Sequence, residues 1–279
     1  MGEVGSFGAR LAAAVGRTGP LCAGIDPSGS MLRHWGLGDD ADGLRRFGSR
    51  CVEAFAGVVP VVKPQVAFFE RFGAAGFRVL ERLLTEARDA DVLVIADAKR
   101  GDFAPTNEGY ADTWLSDRSP LAADAVTVHP YLGVGALAPF FDAARGSGRG
   151  VFVLAATSNP EGRALQGARV EDGARVEEMV LGEVRELNRG DEAPGSIGVV
   201  FGATRTRPDF DLTTLGGPYL VPGVGAQGAG PADVARLFAG CAPGTVVASV
   251  SRAILRAGPE RRGLRDAAAR WRDDLRESV

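Results

Sequence analysis

Eight short runs rich in Val, Ile and Ala, each followed by a longer stretch of mixed polarity, limit what this chain of 279 residues can fold into. The runs fall at 21–25, 58–63, 92–97, 125–129, 150–156, 197–201, 218–222 and 245–250. Most are apolar nearly throughout instead of alternating, which is how parallel strands covered on both faces read. The intervening stretches carry helical spacing: Val176, Met179, Val180, Val184 and Leu187 form one stripe, and Leu264, Ala268, Trp271 and Leu275 another. Between the sixth and seventh runs, 205–217 is short and contains Pro208, which weakens the case for a helix there. A longer helical pattern occupies 162–191, and no function is assigned to it. Eight such units with no linker or composition break suit a single (β/α)8 barrel domain over 1–279, with an N-terminal and a C-terminal helix.

A doubly wound sheet is the alternative, since periodicity alone does not close a barrel. The polar residues argue for closure. Asp26, Lys63, Asp97, Lys99, His129, Ser158, Gln227 and Arg252 lie at or just past the C-terminal ends of seven different runs. In a barrel those ends converge on one mouth.

Composition removes several classes of function. A net charge of -3 offers no nucleic-acid surface, and the arginines of 260–277 are interleaved with Glu260, Asp266, Asp273 and Asp274, as on a solvated helix face. Cys22, Cys51 and Cys241 are widely spaced and odd in number, with no metal or redox motif, and suit a reducing cytosol. No apolar stretch approaches the roughly 18 residues of a membrane span, and the N-terminus lacks a signal pattern, so a cytoplasmic protein is expected. The only histidines are His34 and His129, without ligand spacing, and neither a metal site nor a cofactor is expected. His129, followed by Pro130, reads as a structural or pocket-wall residue.

The chemistry concentrates in the second and third runs. Lys63 sits inside VVPVVKPQVAFFE, where an unpaired ammonium would be costly to bury, and Asp97 on the adjacent strand is the obvious counter-charge. In VLVIADAKRGD, Asp97 and Lys99 are two apart and share one side if the chain stays extended. A Lys–Asp–Lys array keeps its members ionised by mutual attraction. A fixed ammonium beside a substrate carbon can stabilise a developing carbanion and then protonate it. The other end of the mouth suits an anion: VPGVGAQG places three glycines after the seventh run, and Arg252 follows the eighth.

DAKRGD at 97–102 followed by Thr106 resembles the D-x-K-x-x-D…T signature of orotidine 5'-phosphate decarboxylases, in the form of many actinobacterial enzymes. GIDPS at 24–28, KPQVAFFE at 63–70, ATSNP at 156–160, VPGVGAQG at 221–228 and SVSRAI at 249–254 resemble the family's further motifs. The resemblance implies conversion of orotidine 5'-monophosphate to uridine 5'-monophosphate in de novo pyrimidine synthesis, without metal or organic cofactor. It implies that Asp26 and Lys63 hold the ribose, Asp97 stands beside the leaving carboxylate, and Lys99 protonates a vinyl carbanion. It further implies Ser158 on the pyrimidine and Gln227 and Arg252 on the phosphate. Asp102 and Thr106 are implied to cross a homodimer interface into the neighbouring site. Ser251 stands where the family pattern has Gly, Phe103 where it usually has Ile, and the loop after Gln227 is short.

Two rivals remain open. Mg²⁺-dependent sugar-phosphate decarboxylases and aldolases of the same superfamily share D-x-K-x-x-D, but carry an acidic metal ligand where this chain has Lys63. A non-catalytic nucleotide-binding barrel would keep Gln227 and Arg252 and have no use for the Lys63, Asp97 and Lys99 array.

Overall fold

Eight parallel strands pair in chain order and close into a barrel: β1 (Leu21–Ile25), β2 (Val61–Pro64), β3 (Leu93–Arg100), β4 (Ala125–Val128), β5 (Gly150–Ala156), β6 (Ile197–Phe201), β7 (Tyr219–Val221) and β8 (Val246–Val250). The computed structural model describes residues 5–191, 194–205 and 208–278. Helices Ala41–Phe55, Gly73–Asp89, Ala104–Leu115, Ala138–Ser147, Val176–Leu187 and Pro231–Leu237 lie between successive strands, and Arg261–Ser278 follows the last. Among the described residues of the sixth crossover there is no helix, in keeping with its short, proline-bearing sequence. The closed order excludes the doubly wound alternative, which leaves two sheet edges.

Apolar side chains make two cores. One lies between the strands and the helices, where the predicted stripes supply Val180 and Val184, and Leu264, Ala268 and Leu275. The other fills the barrel, one residue from each strand: Cys22, Val61, Ile95, Ala125, Phe152, Val200, Leu220 and Val247. The helix Phe7–Thr18 closes the bottom with Phe7, Leu11 and Val15. Its start is capped by Ser6, whose hydroxyl accepts from the Ala9 N–H at 3.3 Å. Phe7 meets the edge of Phe152 with ring centroids 5.9 Å apart.

Two residues further up the strands the interior turns polar. Lys63, Asp97, Thr127 and Ser249 follow Val61, Ile95, Ala125 and Val247 with the strand period of two, and all four are buried. The apolar layer is therefore the floor of a polar chamber that opens at the C-terminal ends of the strands.

Three expectations need correcting. The run 58–63 enters β2 only at Val61, because the N–H groups of Val58 and Val59 return to the Phe55 carbonyl and Pro60 has no N–H to give. The third run continues past Asp97 to Arg100. The pattern at 162–191 is not one helix: it divides into a turn at Arg163–Gln166 and the helix Val176–Leu187, with Gly173 in a left-handed conformation (φ 90°) between them.

Candidate active site

At the centre of the chamber, Asp97 binds two lysines through different oxygens. Lys63 Nζ donates to Oδ2 at 2.6 Å and Lys99 Nζ to Oδ1 at 2.5 Å. Asp97 and Lys63 are each 8% exposed, whereas the Lys99 side chain is 43% exposed and reaches the solvent side of the cluster. Burial alone would push the Asp97 carboxyl up, but the ammonium groups of Lys63 and Lys99 outweigh it and hold Asp97 below the ordinary carboxylate range. For Lys63 burial pulls down, and the carboxylates of Asp97 and Asp26 raise it above its usual value. Lys63 and Asp97 are therefore charged together at neutral pH.

Extended geometry is not what unites Asp97 with Lys99. Lys99 has φ 49°, in the left-handed region, and the β3–β4 pairing jumps from Ala96–Val126 to Arg100–Val128. β3 thus spends two more residues than β4 over that stretch, a bulge of the kind that re-aims a side chain at a barrel rim. A left-handed backbone at a non-glycine residue costs about 1–2 kcal/mol and is held only by its surroundings. Thr127 on β4 is such a partner: its Oγ1 accepts from the Lys99 N–H at 3.0 Å and donates to Asp97 Oδ1 at 2.9 Å. Gln65, which extends β2 and bridges to Asp97, accepts from Lys99 Nζ at 3.5 Å.

A cavity of about 280 Å³ gathers Asp26, Lys63, Asp97, Lys99, Ser158, Gln227 and Arg252. Ser249, Ser251, Asn159 and Thr157 complete its polar wall. Asp26 Oδ1 and Ser251 Oγ are buried without a hydrogen-bond partner, and a polar ligand in the cavity would satisfy both. The serine at 158 does not cap the following turn, whose N-cap is Asn159, and Ser158 is held through its carbonyl, which accepts from Thr204 Oγ1 at 3.0 Å. In the chamber floor, burial pushes the Cys22 thiol up to about 12, so it stays neutral.

The anion end is built by two strand ends. Gly223, Gly225 and Gly228 after β7 are all left-handed. Two of their N–H groups are used to close the loop, Gly225 to the Ala229 carbonyl at 2.8 Å and Gly228 to the Gly225 carbonyl at 3.0 Å. The glycines therefore shape the loop more than they line it with donors, and Gln227 is left exposed at its tip. A Cβ on Gly225 would stand 3.2 Å from the Cβ of Ala253, so the loop rests on the turn that Arg252 begins. Arg252 is exposed and makes no ion pair with the described residues, so its fork of donors is available.

Asp102 and Thr106 do not reach this cavity. Asp102 lies in the loop after β3, its Oδ1 accepting from the Phe103 N–H at 2.8 Å, and Thr106 is exposed in the first turn of Ala104–Leu115. The loop is ordered by a buried asparagine. Asn107 Oδ1 accepts from the Asp102 N–H at 2.9 Å, and its amide donates to the carbonyls of Asp102 and Ala136 at 2.6 and 2.7 Å. His129 also lies outside the cavity lining; its ring packs on Gly101, where a Cβ would stand 2.9 Å from Cε1.

Sequence reasoning missed Thr127, Asn107 and Gln65. Each is unremarkable by type, a threonine in a strand, an amide in a helix's first turn and an amide just past a strand end. The available signal was Thr127 as the only polar residue within AVTV, at the depth of Lys63 and Asp97.

Among known proteins, a profile of the orotidine 5'-phosphate decarboxylase / HUMPS family matches residues 19–267. Orotidine 5'-phosphate decarboxylases of Salinispora tropica and Streptomyces coelicolor are 51% and 52% identical to this chain, over 98% of it and 98% of their own lengths. A crystal structure from Streptomyces avermitilis, provisionally given the same name, matches with a TM-score of 0.94 at 50% identity, covering 99% of this chain and 96% of that one. The OMP decarboxylase of Leishmania donovani matches with a TM-score of 0.75 at 29% identity, over 97% of both chains.

Proposed function

The chain belongs to the orotidine 5'-phosphate decarboxylase / HUMPS family, and from that membership we propose how its residues decarboxylate orotidine 5'-monophosphate to uridine 5'-monophosphate. The observation that carries the reading is one buried carboxylate, Asp97, clamped between two ammonium groups in the cavity that also holds Arg252. Arg252 and Gln227 take the phosphate, Asp26 and Lys63 the ribose, and Ser158 the pyrimidine. That orientation sets the substrate carboxylate near Asp97 and C6 near Lys99. The bond from C6 to the carboxylate breaks, carbon dioxide leaves, and the electron pair stays on C6. Lys99 stabilises that pair and gives C6 its proton. Binding energy from the distant phosphate is useful here if it favours a pocket whose charges act on the transition state.

The step needs no metal or organic cofactor in this reading. Two ammonium groups already flank Asp97, so a divalent cation would be repelled there. This separates the chain from the Mg²⁺-dependent sugar-phosphate relatives. A barrel that only senses nucleotides would have no reason to bury Lys63 and Asp97.

The site is completed in a homodimer, each subunit lending Asp102 and Thr106 to its neighbour. Support comes from both residues lying outside their own cavity, and from the exposed apolar side chains Phe103, Tyr131 and Leu132 in the loops leaving β3 and β4. We read residues 1–279 as one domain and the enzyme as cytoplasmic; no helix among the described residues is long and apolar enough to cross a membrane.

Ultraviolet-monitored loss of orotidine 5'-monophosphate tests the reading. Chelator-treated protein should turn over at the untreated rate, and Lys99→Ala should show no turnover. Activity that disappears with chelation would move the chain to the metal-dependent relatives, and an active Lys99→Ala protein would remove Lys99 as proton donor.

A further inference from the structure

Thr127 closes a ring of hydrogen bonds around the reactive lysine. The main-chain N–H of Lys99 donates to Thr127 Oγ1, that hydroxyl donates to Asp97 Oδ1, and the same oxygen accepts from Lys99 Nζ. The bulge makes this ring necessary. Where the ladder skips from Ala96–Val126 to Arg100–Val128, the Lys99 N–H has lost a strand partner, and the residue stands in a left-handed conformation. A partly buried donor in that position gains by finding an acceptor and otherwise carries a desolvation cost. Thr127 supplies it with a lone pair, while its single proton is directed at Asp97.

Valine, the β-branched isostere, would fit the strand equally well, as Val126 and Val128 on either side do. The hydroxyl is therefore not explained by packing. Thr127 is wholly buried and does not line the cavity, so it has no route to a bound ligand.

We propose that Thr127 is a positioning residue that fixes the Lys99 backbone and the Asp97 carboxylate relative to each other, so that Lys99 Nζ is held where a proton must be delivered. This rests on the reading of Lys99 as proton donor. A misplacement of about 1 Å in such a group can cost on the order of 100-fold in rate. The ring acts on the chemical step and not on the distant phosphate grip, so kcat and KM should separate.

The test compares Thr127→Val, Thr127→Ser and wild type by initial rates on orotidine 5'-monophosphate, with Lys99→Ala as the null control. Thr127→Val should lose about 10- to 100-fold in kcat with KM within about 3-fold of wild type, and Thr127→Ser, which keeps the hydroxyl, should restore kcat to within about 3-fold. If the valine variant does not fold, Thr127→Cys, similar in size but a weak donor, is measured in its place with the same expectation. A hydroxyl-free variant with wild-type kcat would overturn the proposal. So would a serine variant as slow as the valine one, or parallel losses in kcat and substrate affinity. An inactive wild type would overturn the functional reading and this proposal together, whereas active wild type with inactive Lys99→Ala leaves the fate of Thr127 to its own variants.

Discussion

The Asp97 carboxylate accepts three hydrogen bonds, from Lys63, Lys99 and Thr127, and its loss would expose how much of the chamber depends on it. Asp97→Asn leaves the buried Lys63 ammonium with Asp26 as its remaining counter-charge. Breaking a buried pair by removing one partner costs about 3–5 kcal/mol, so urea unfolding should show a loss of about that size beside the loss of turnover. The pH dependence follows from the directions of the two shifts. Asp97 is held below its unfolded value of about 4, so its contribution is complete above that pH and fades as pH falls toward the folded value. Lys63 is held above its unfolded value of about 10.4, so its contribution is complete below that pH and fades as pH rises beyond it. The stability gap between wild type and Asp97→Asn should therefore narrow as pH falls below about 4. A gap that widens on acidification would contradict the pairing.

Helix Phe7–Thr18 and the sixth crossover, which has no helix among its described residues, show two ways of supporting the site from a distance. Phe7 fills the barrel floor so closely that a Cβ on Gly150 would stand 2.2 Å from its ring. Phe7→Ala should cost about 3–5 kcal/mol in denaturant unfolding while KM stays near wild type, because the hole opens under the apolar layer and not in the polar chamber. A large KM change with unaltered stability would mean the floor and the chamber are coupled. The sixth crossover has no helical stripe to bury, and side chains replace it. Arg205 pairs with the buried Glu177, Arg175 grips Asp209 through two bonds of 2.7 and 3.2 Å, and Tyr219 donates to the Leu212 carbonyl at 2.5 Å. Leu212 and Leu215 are buried beneath. The pairings with Glu177 and Arg175 tie this segment to the start of Val176–Leu187, which gives the region 162–191 a structural task.

The proposed sharing of sites between two subunits makes a prediction no single chain can. Lys99→Ala and Asp102→Asn should each be inactive alone. Unfolded together and refolded, they should recover up to about a quarter of wild-type activity, because half of randomly paired dimers hold one intact site. No recovery from a mixture that sediments as dimers would mean that Lys99 and Asp102 serve the same subunit's site, or that Asp102 serves none.

The eight strands, the closed barrel and the mouth residues other than His129 were legible in the residues because a doubly covered parallel strand is an apolar run, and the first polar residue after it marks the end where barrel chemistry collects. The pairing of Lys63 with Asp97 was legible for the same reason: an ammonium inside such a run has to be neutralised by a neighbour. The left-handed turn at Lys99, the hydroxyl of Thr127 that holds it and the Asn107 clasp were not. Each depends on which atoms two strands or loops bring opposite one another, and the lone polar residue of β4, Thr127, does not by itself reveal the bulge in β3 that sets it against Lys99. Local periodicity decides where strands run, whereas hydrogen-bond partners distant in the chain are chosen only when the barrel closes.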